Sequence, residues 1–316
     1  MKLILSTSNT MSGTPSVIRR PFFEKSNTEL TSSLGANFAA HQSSASPAAS
    51  KPDYTTWTTK TDSALYIPTH TPSPLTEPRE SYDITVKLFY LPNIPADRRC
   101  AQTREAIELV LKELGTSSIY LLIVSFPGIS FDADDEDSDF DDDVPSPPSA
   151  TQSTSENTSS DCLDAAVPPE DIETMITTWR TLEKLQSQGL VSKLGIAEFG
   201  VARLTRFLQH TNIKPSVNQI NVRDCCVVPK PLILYAKQQQ IELLTHNDCT
   251  NILPSGTLRQ ILGSGENGAG VLAGQGNENG LKGDVEPQWV VKYTAVVKDR
   301  GVVESKGYFA VAELRG

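Results

Sequence analysis

The sequence predicts an α/β chain with a parallel sheet closed into a (β/α)8 TIM-type barrel, on three observations. Strand-like and helix-like segments alternate with short connections, as in successive βαβ units. One strand, SIYLLIVSF, is apolar almost throughout, the pattern of a parallel strand covered on both faces. With its low-complexity stretches set aside, the 316-residue chain fits eight units better than a small open sheet.

The elements follow in order. Residues 83–91 (DITVKLFYL) are β-rich, and 97–114 carry Ile107, Val110, Leu111 and Leu114 at helical spacing, with Gly115 suited to the position after the helix. The apolar strand spans 118–126. Residues 168–188 place Ile172, Met175, Ile176, Trp179, Leu182 and Leu185 on one helical stripe that Gly189 ends. A strand at 191–197 precedes a helix holding Val201, Leu204, Phe207 and Leu208. A strand at 216–222, a helix near 230–239 and a strand at 241–246 complete the regular run. The last segment, WVVKYTAVVKDRGVVESKGYFAVAEL, is β-rich around a turn at 299–301; its pattern fits a barrel-closing strand and a hairpin equally.

Three stretches interrupt this order, and recognisable elements flank each of them. Residues 43–52 are small and polar, 128–167 join an acid run to Ser/Pro-rich sequence, and 263–283 are glycine-rich. Segments of that composition bury too little apolar surface to offset ordering entropy, so they read as long disordered insertions within one domain spanning 1–316.

The formal charge is −10, but FDADDEDSDFDDD at 131–143 holds most of it, and the remainder is nearly neutral. With no basic surplus to attract phosphate backbones, nucleic-acid binding is disfavoured. The five cysteines have neither a disulfide-framework spacing nor a CxxC zinc pattern. MKLILSTSNT falls short of a secretory h-region and no apolar run spans a bilayer, so the expectation is a soluble, cytoplasmic chain with no membrane attachment.

WRTLEKLQSQGLVSKLGIAEF, KPSVNQIN and LYAKQQQIELLTHND together resemble the aldo-keto reductase barrel in order and spacing. ITVKLFYLP, VNQINVRDCCVVP, AKQQQIELLTHND and VVKDRGVVESKGY resemble more closely the glutamate–cysteine ligase regulatory-subunit branch of that superfamily, discontinuously from about 83 to 308. A reductase of the superfamily needs a tyrosine proton donor, a lysine, an aspartate and a histidine around the carbonyl that accepts hydride. By resemblance Lys87 holds the lysine position, but Ser125 stands where the histidine would be. TDSALY at 61–66 has an aspartate and a tyrosine at the wrong spacing. Where the superfamily holds the nicotinamide carboxamide with serine and asparagine, GIAEF offers Ala197 and Glu198, which cannot hydrogen-bond and can only accept, respectively. His246 replaces the stacking tyrosine, while Asn218 and Gln219 persist as remnants, equally readable as strand-end polar groups that satisfy backbone. No cofactor and no metal are therefore expected.

Two other features invite chemistry. His246, Asp248 and Cys249 in THNDC superficially resemble a thiol beside a base, but their nearness in sequence does not ensure the Cys–His hydrogen bond. The glycine-rich stretch lacks the GK[ST] of a phosphate loop. Cys225 and Cys226 follow a strand and belong in a loop at the barrel mouth. Their Cα atoms, about 3.8 Å apart, are below the separation a disulfide normally spans. They read either as packed thiols or, as the resemblance favours, as a partner interface with Arg223 and Asp224 beside them.

The resemblance implies a non-catalytic subunit that forms a heterodimer with the catalytic subunit of glutamate–cysteine ligase. Such a subunit improves the partner's use of glutamate and relieves feedback inhibition by glutathione. The competing expectation is an NADPH-dependent reductase of small carbonyl compounds.

Overall fold

Every described strand joins one ten-stranded mixed sheet in the computed structural model, in the order β2-β3-β1-β10-β9-β4-β5-β6-β7-β8. The residues described are 1–11, 26–45, 51–92, 94–131, 168–221, 228–249, 251–265, 267–275 and 277–316. The strands are β1 (Lys2–Ser6), β2 (Thr59–Lys60), β3 (Ala64–Ile67), β4 (Tyr82–Tyr90), β5 (Ile119–Ser125), β6 (Val191–Ala197), β7 (Val217–Asn221), β8 (Glu242–His246), β9 (Asp284–Val297) and β10 (Val302–Arg315). The helices are α1 (Ser26–Ala45), α2 (Arg99–Leu114), α3 (Ile172–Ser187), α4 (Val201–Leu208), α5 (Lys230–Gln239) and α6 (Thr257–Leu262).

The α/β architecture of the aldo-keto reductase kind lies in β4 to β8, five parallel strands separated in sequence by α2, α3, α4 and α5. Leu122, Val124, Leu194, Ile196 and Ile220 meet Met175, Trp179, Leu182, Leu204, Phe207 and Leu232 in the main core. Helix boundaries follow local chemistry. Asp171 accepts from the Thr174 amide at 2.9 Å and starts α3 there, after the proline pair, while Gly115 ends α2 at φ 61°.

The remaining strands are antiparallel to this set or pair beyond it. The C-terminal segment folds as a long hairpin inserted into the sheet, β9 on β4 and β10 on β1, turning at Gly301 with φ +61°. Among the described residues no pairing joins β8 to β2, so the sheet has two ends. In this half a second core fills the face opposite α2. Leu30, Leu34 and Phe38 of α1, spaced four apart, meet Leu3, Leu5, Phe89, Val290 and Tyr308, together with Ile252, Leu258, Val271 and Leu272.

Two insertions expected to be flexible are partly built into the structure. Helix α1 runs to Ala45, and Lys51 donates to the carbonyls of Gly265 and Gly268 at 2.6 and 2.8 Å. Within 263–283, Val271 and Leu272 are core residues, and a Cβ on Gly268 or Gly280 would lie 2.2 or 2.4 Å from neighbouring backbone. These glycines permit close backbone packing rather than looseness. Of the acidic insertion, Gly128–Phe131 are described, with Phe131 buried, and 132–167 lie outside the described residues. No described helix is long and apolar enough to cross a membrane.

Candidate functional site

At the C-terminal ends of the parallel strands, a buried lysine interrupts β4. Lys87 is 4 % exposed, and burying a lone ammonium is too costly unless a partner is at hand. Asp248, two residues past β8, supplies it: Lys87 Nζ donates to Asp248 Oδ2 at 2.8 Å. The other oxygen accepts from Lys292 Nζ of β9 at 2.9 Å. Lys292 stands opposite Lys87 in the β4–β9 register, so one carboxylate bridges two cross-strand lysines. Burial alone would raise the Asp248 carboxyl, but the Lys87 and Lys292 ammonium groups hold it well below the usual carboxylate range. Burial pushes Lys87 below the ordinary lysine value, and Asp248 opposes that push.

His246, at the end of β8, extends the cluster. Its Nδ1 accepts the Asp248 amide at 3.0 Å, which places a proton on Nε2. Nε2 lies 2.5 Å from Glu198 Oε1, off the line of a good hydrogen bond. Glu198 sits at φ +67°, a left-handed conformation uncommon for a residue with a side chain. Its carboxylate accepts the Asn221 amide at 3.1 Å and the Phe131 amide at 3.3 Å. The start of the acidic insertion is thereby tied to the end of β6.

The remnant residues are placed as follows. Asn218 is fully buried and hydrogen-bonds the backbone of Phe199 twice, donating to O at 2.7 Å and accepting from N at 3.3 Å. Gln219 Oε1 is buried with no hydrogen-bond partner among the described residues. Ser125 is buried at the end of β5 in register with Phe89. Asp62 and Tyr66 are remote: Tyr66 is on β3, separated from β4 by β1, β10 and β9. Cys249 Sγ donates to Asn27 Oδ1 at 3.3 Å, while the ring nitrogens of His246 face the Asp248 amide and Glu198. The THNDC cluster is thus an ion-pair and backbone motif rather than a thiol–base pair. Cys225, Cys226, Arg223 and Asp224 lie outside the described residues.

Helix α1 covers this site from the hairpin side. Glu29 accepts from Lys306 and from the Tyr308 hydroxyl, the latter at 2.7 Å. Burial would raise its carboxyl, but these contacts hold it below its ordinary value. Of the four positions at which a nicotinamide carboxamide would be held, only Gln219 keeps an unpartnered polar atom among the described residues. Ala197 has no polar group, the Glu198 carboxylate is directed at two backbone amides and a histidine, and the Asn218 amide is bonded to Phe199.

The aldo/keto reductase family model matches residues 71–260, the span that contains β4–β8 with Lys87, Ser125, Asn218, Gln219 and His246. This chain belongs to the aldo/keto reductase family. Within it, the chain is 28% identical over 239 residues to a Schizosaccharomyces pombe protein named, provisionally, a glutamate–cysteine ligase regulatory subunit; the match covers 75% of this chain and 73% of that one. It is 27% identical over 238 residues to the Mus musculus glutamate–cysteine ligase regulatory subunit, covering 75% and 69%. A shorter match, 36% over 78 residues, links 25% of the chain to 24% of the NADPH-dependent D-xylose reductase of Candida boidinii.

The sequence pointed to Lys87, but its partners Asp248 and Lys292 were not read as such. A signal existed. TVKLF and VVKYT are the same pattern, one lysine breaking an apolar strand, and such a lysine needs a buried anion.

Proposed function

We propose that this chain is the non-catalytic regulatory subunit of glutamate–cysteine ligase, forming a heterodimer with the catalytic subunit in glutathione synthesis in the cytoplasm. The similarity to regulatory subunits across three quarters of the chain supports the reading. The single observation that carries the non-catalytic part is Ser125, buried at the end of β5 where a reductase of the superfamily has its histidine. The Lys87–Asp248 pair would suit either reading, but Tyr66 of the sequence's one Asp–Tyr candidate is three strands away from Lys87. The reading needs no nucleotide and no metal. Regulation then means binding the partner's active conformation more tightly than its inactive one, which shifts the partner's population.

The match to a D-xylose reductase favours a second reading, an NADPH-dependent reductase of small carbonyls with an altered donor set. One assay separates the two. With NADPH and a panel of aldehydes, the purified chain should give no oxidation above background, because general acid–base help is worth roughly 10²–10⁴-fold. Turnover that disappears in Lys87→Met would establish the reductase instead.

A further inference from the structure

The two ends of the sheet differ in a way that bears on partner binding. At one end β2 has only two residues, including Lys60, which is how proteins blunt a sheet edge. At the other end β8 has five residues, ELLTH, with neither lysine nor proline. Glu242 N–H donates to Ser216 O at 2.9 Å, toward β7. In a parallel ladder alternate residues face the same neighbour, so Leu243 and Thr245 direct their N–H and C=O groups outward. Among the described residues these groups have no partner.

The side chains around this edge are unfinished as well. On the face opposite α2 to α5, Leu121, Ile123, Ala197 and Val217 form a small buried cluster with Tyr120 and Leu244 half-covered against it. On the other face Leu243 is half-covered beside α5. That helix presents Ile233 and Leu234, 46 % and 57 % exposed, adjacent in sequence and two of the five exposed large hydrophobics among the described residues. Scattered exposed apolar residues are ordinary, but this pair is adjacent in sequence and lies on the helix that packs against the edge strand.

We infer that the outer edge of β8 accepts an extended segment of the catalytic subunit as an added strand. Its alternate side chains would cover Leu244 on one face and Leu243 on the other, while the rest of the partner rests on Ile233 and Leu234. An extended backbone is the chemistry that satisfies an outward row of donors and acceptors. A second copy of this chain is a poorer occupant. Two copies paired edge to edge would share only about 17 Å of strand, whereas a larger partner can place a strand on this edge and a separate surface on α5. The inference rests on the regulatory-subunit reading and names the surface it would use.

The test uses the full chain and the purified catalytic subunit of the same ligase, with affinity measured by biolayer interferometry. Thr245→Pro removes an N–H with no acceptor among the described residues, and Leu234→Asp places a charge on an exposed position. Both variants should keep the thermal midpoint and weaken binding by about tenfold or more. Wild-type affinity in either folded variant overturns the edge. Should Thr245→Pro unfold, Leu234→Asp decides alone. If the unmodified chain itself fails to bind the catalytic subunit, the regulatory reading falls first and the edge assignment with it. A homodimer in sedimentation that Thr245→Pro dissolves would overturn the assigned occupant in favour of a second copy.

Discussion

The parallel half of the sheet, β4 to β8, and the antiparallel half, β1 with β9 and β10, solve the same burial problem by different means. In the parallel half, helices α2 to α5 cover one face, and the polar residues gather at the strand ends. In the antiparallel half, α1 and the residues around Ile252, Leu258, Val271 and Leu272 fill the face opposite α2, where a complete barrel would have further strands. The two halves meet at β4–β9, and there Asp248 holds one lysine from each. A family scaffold can therefore lose regular βα repeats if another segment covers the exposed face and the charges left at the junction find each other.

The sharpest way to break that junction is Asp248→Ala. Lys87 would be left buried and Lys292 partly buried without a counter-ion, and removing one member of a buried pair costs about 3–5 kcal/mol. Urea unfolding should show this as a lower midpoint with an unchanged slope. Asp248→Asn sharpens the point through pH. Because folded Asp248 titrates below its unfolded value of about 3.9, its contribution is complete above that pH and is lost as the pH falls through the folded value. The wild-type chain should lose stability on the acid side more steeply than the asparagine variant.

The cover over the antiparallel half is tested by Leu272→Ala. If the glycine-rich stretch is core, as its 3 % exposure indicates, truncation costs about 2–5 kcal/mol; a loose loop would cost nearly nothing. At the boundary between the halves, Glu113 of α2 is buried between the His70 ring at 2.7 Å and the Tyr293 hydroxyl at 3.2 Å. Its carboxylate pins the segment after β3 to α2 and β9. Glu113→Leu should lower stability by about 1.5–3 kcal/mol, the value of hydrogen bonds to a charged group, and Tyr293→Phe by less. The smallest effect belongs to the acidic insertion. Shortening 132–160 to a brief linker should leave the unfolding midpoint nearly unchanged, since loop closure changes by only about 0.6 kcal/mol per doubling of length.

How much of this was legible in the sequence depended on contact range. Local periodicity placed α2, α3, α5 and β4 to β8 within a few residues, because each carries its own apolar stripe and stop signal, such as Gly115 and Gly189. The hairpin was visible around Gly301, but not its insertion between β1 and β4, since pairing partners for β9 lie some two hundred residues upstream and leave no local trace. At the site Lys87 was legible from TVKLF, whereas its bond to Asp248 spans 161 positions. The glycine-rich stretch misled because composition alone does not distinguish glycines that loosen a chain from glycines that let backbones touch, as at Gly268 and Gly280. Glu198 at positive φ was beyond sequence reasoning, because only the end of β6 turning back toward β7 requires that conformation.

The most direct test of the account is the steady-state kinetics of the glutamate–cysteine ligase catalytic subunit with and without an excess of this chain. With the chain present, the KM for glutamate should fall and inhibition by glutathione should weaken, in Lys87→Met as much as in the unmodified protein. Unchanged kinetics, with no complex on gel filtration, would contradict the regulatory reading.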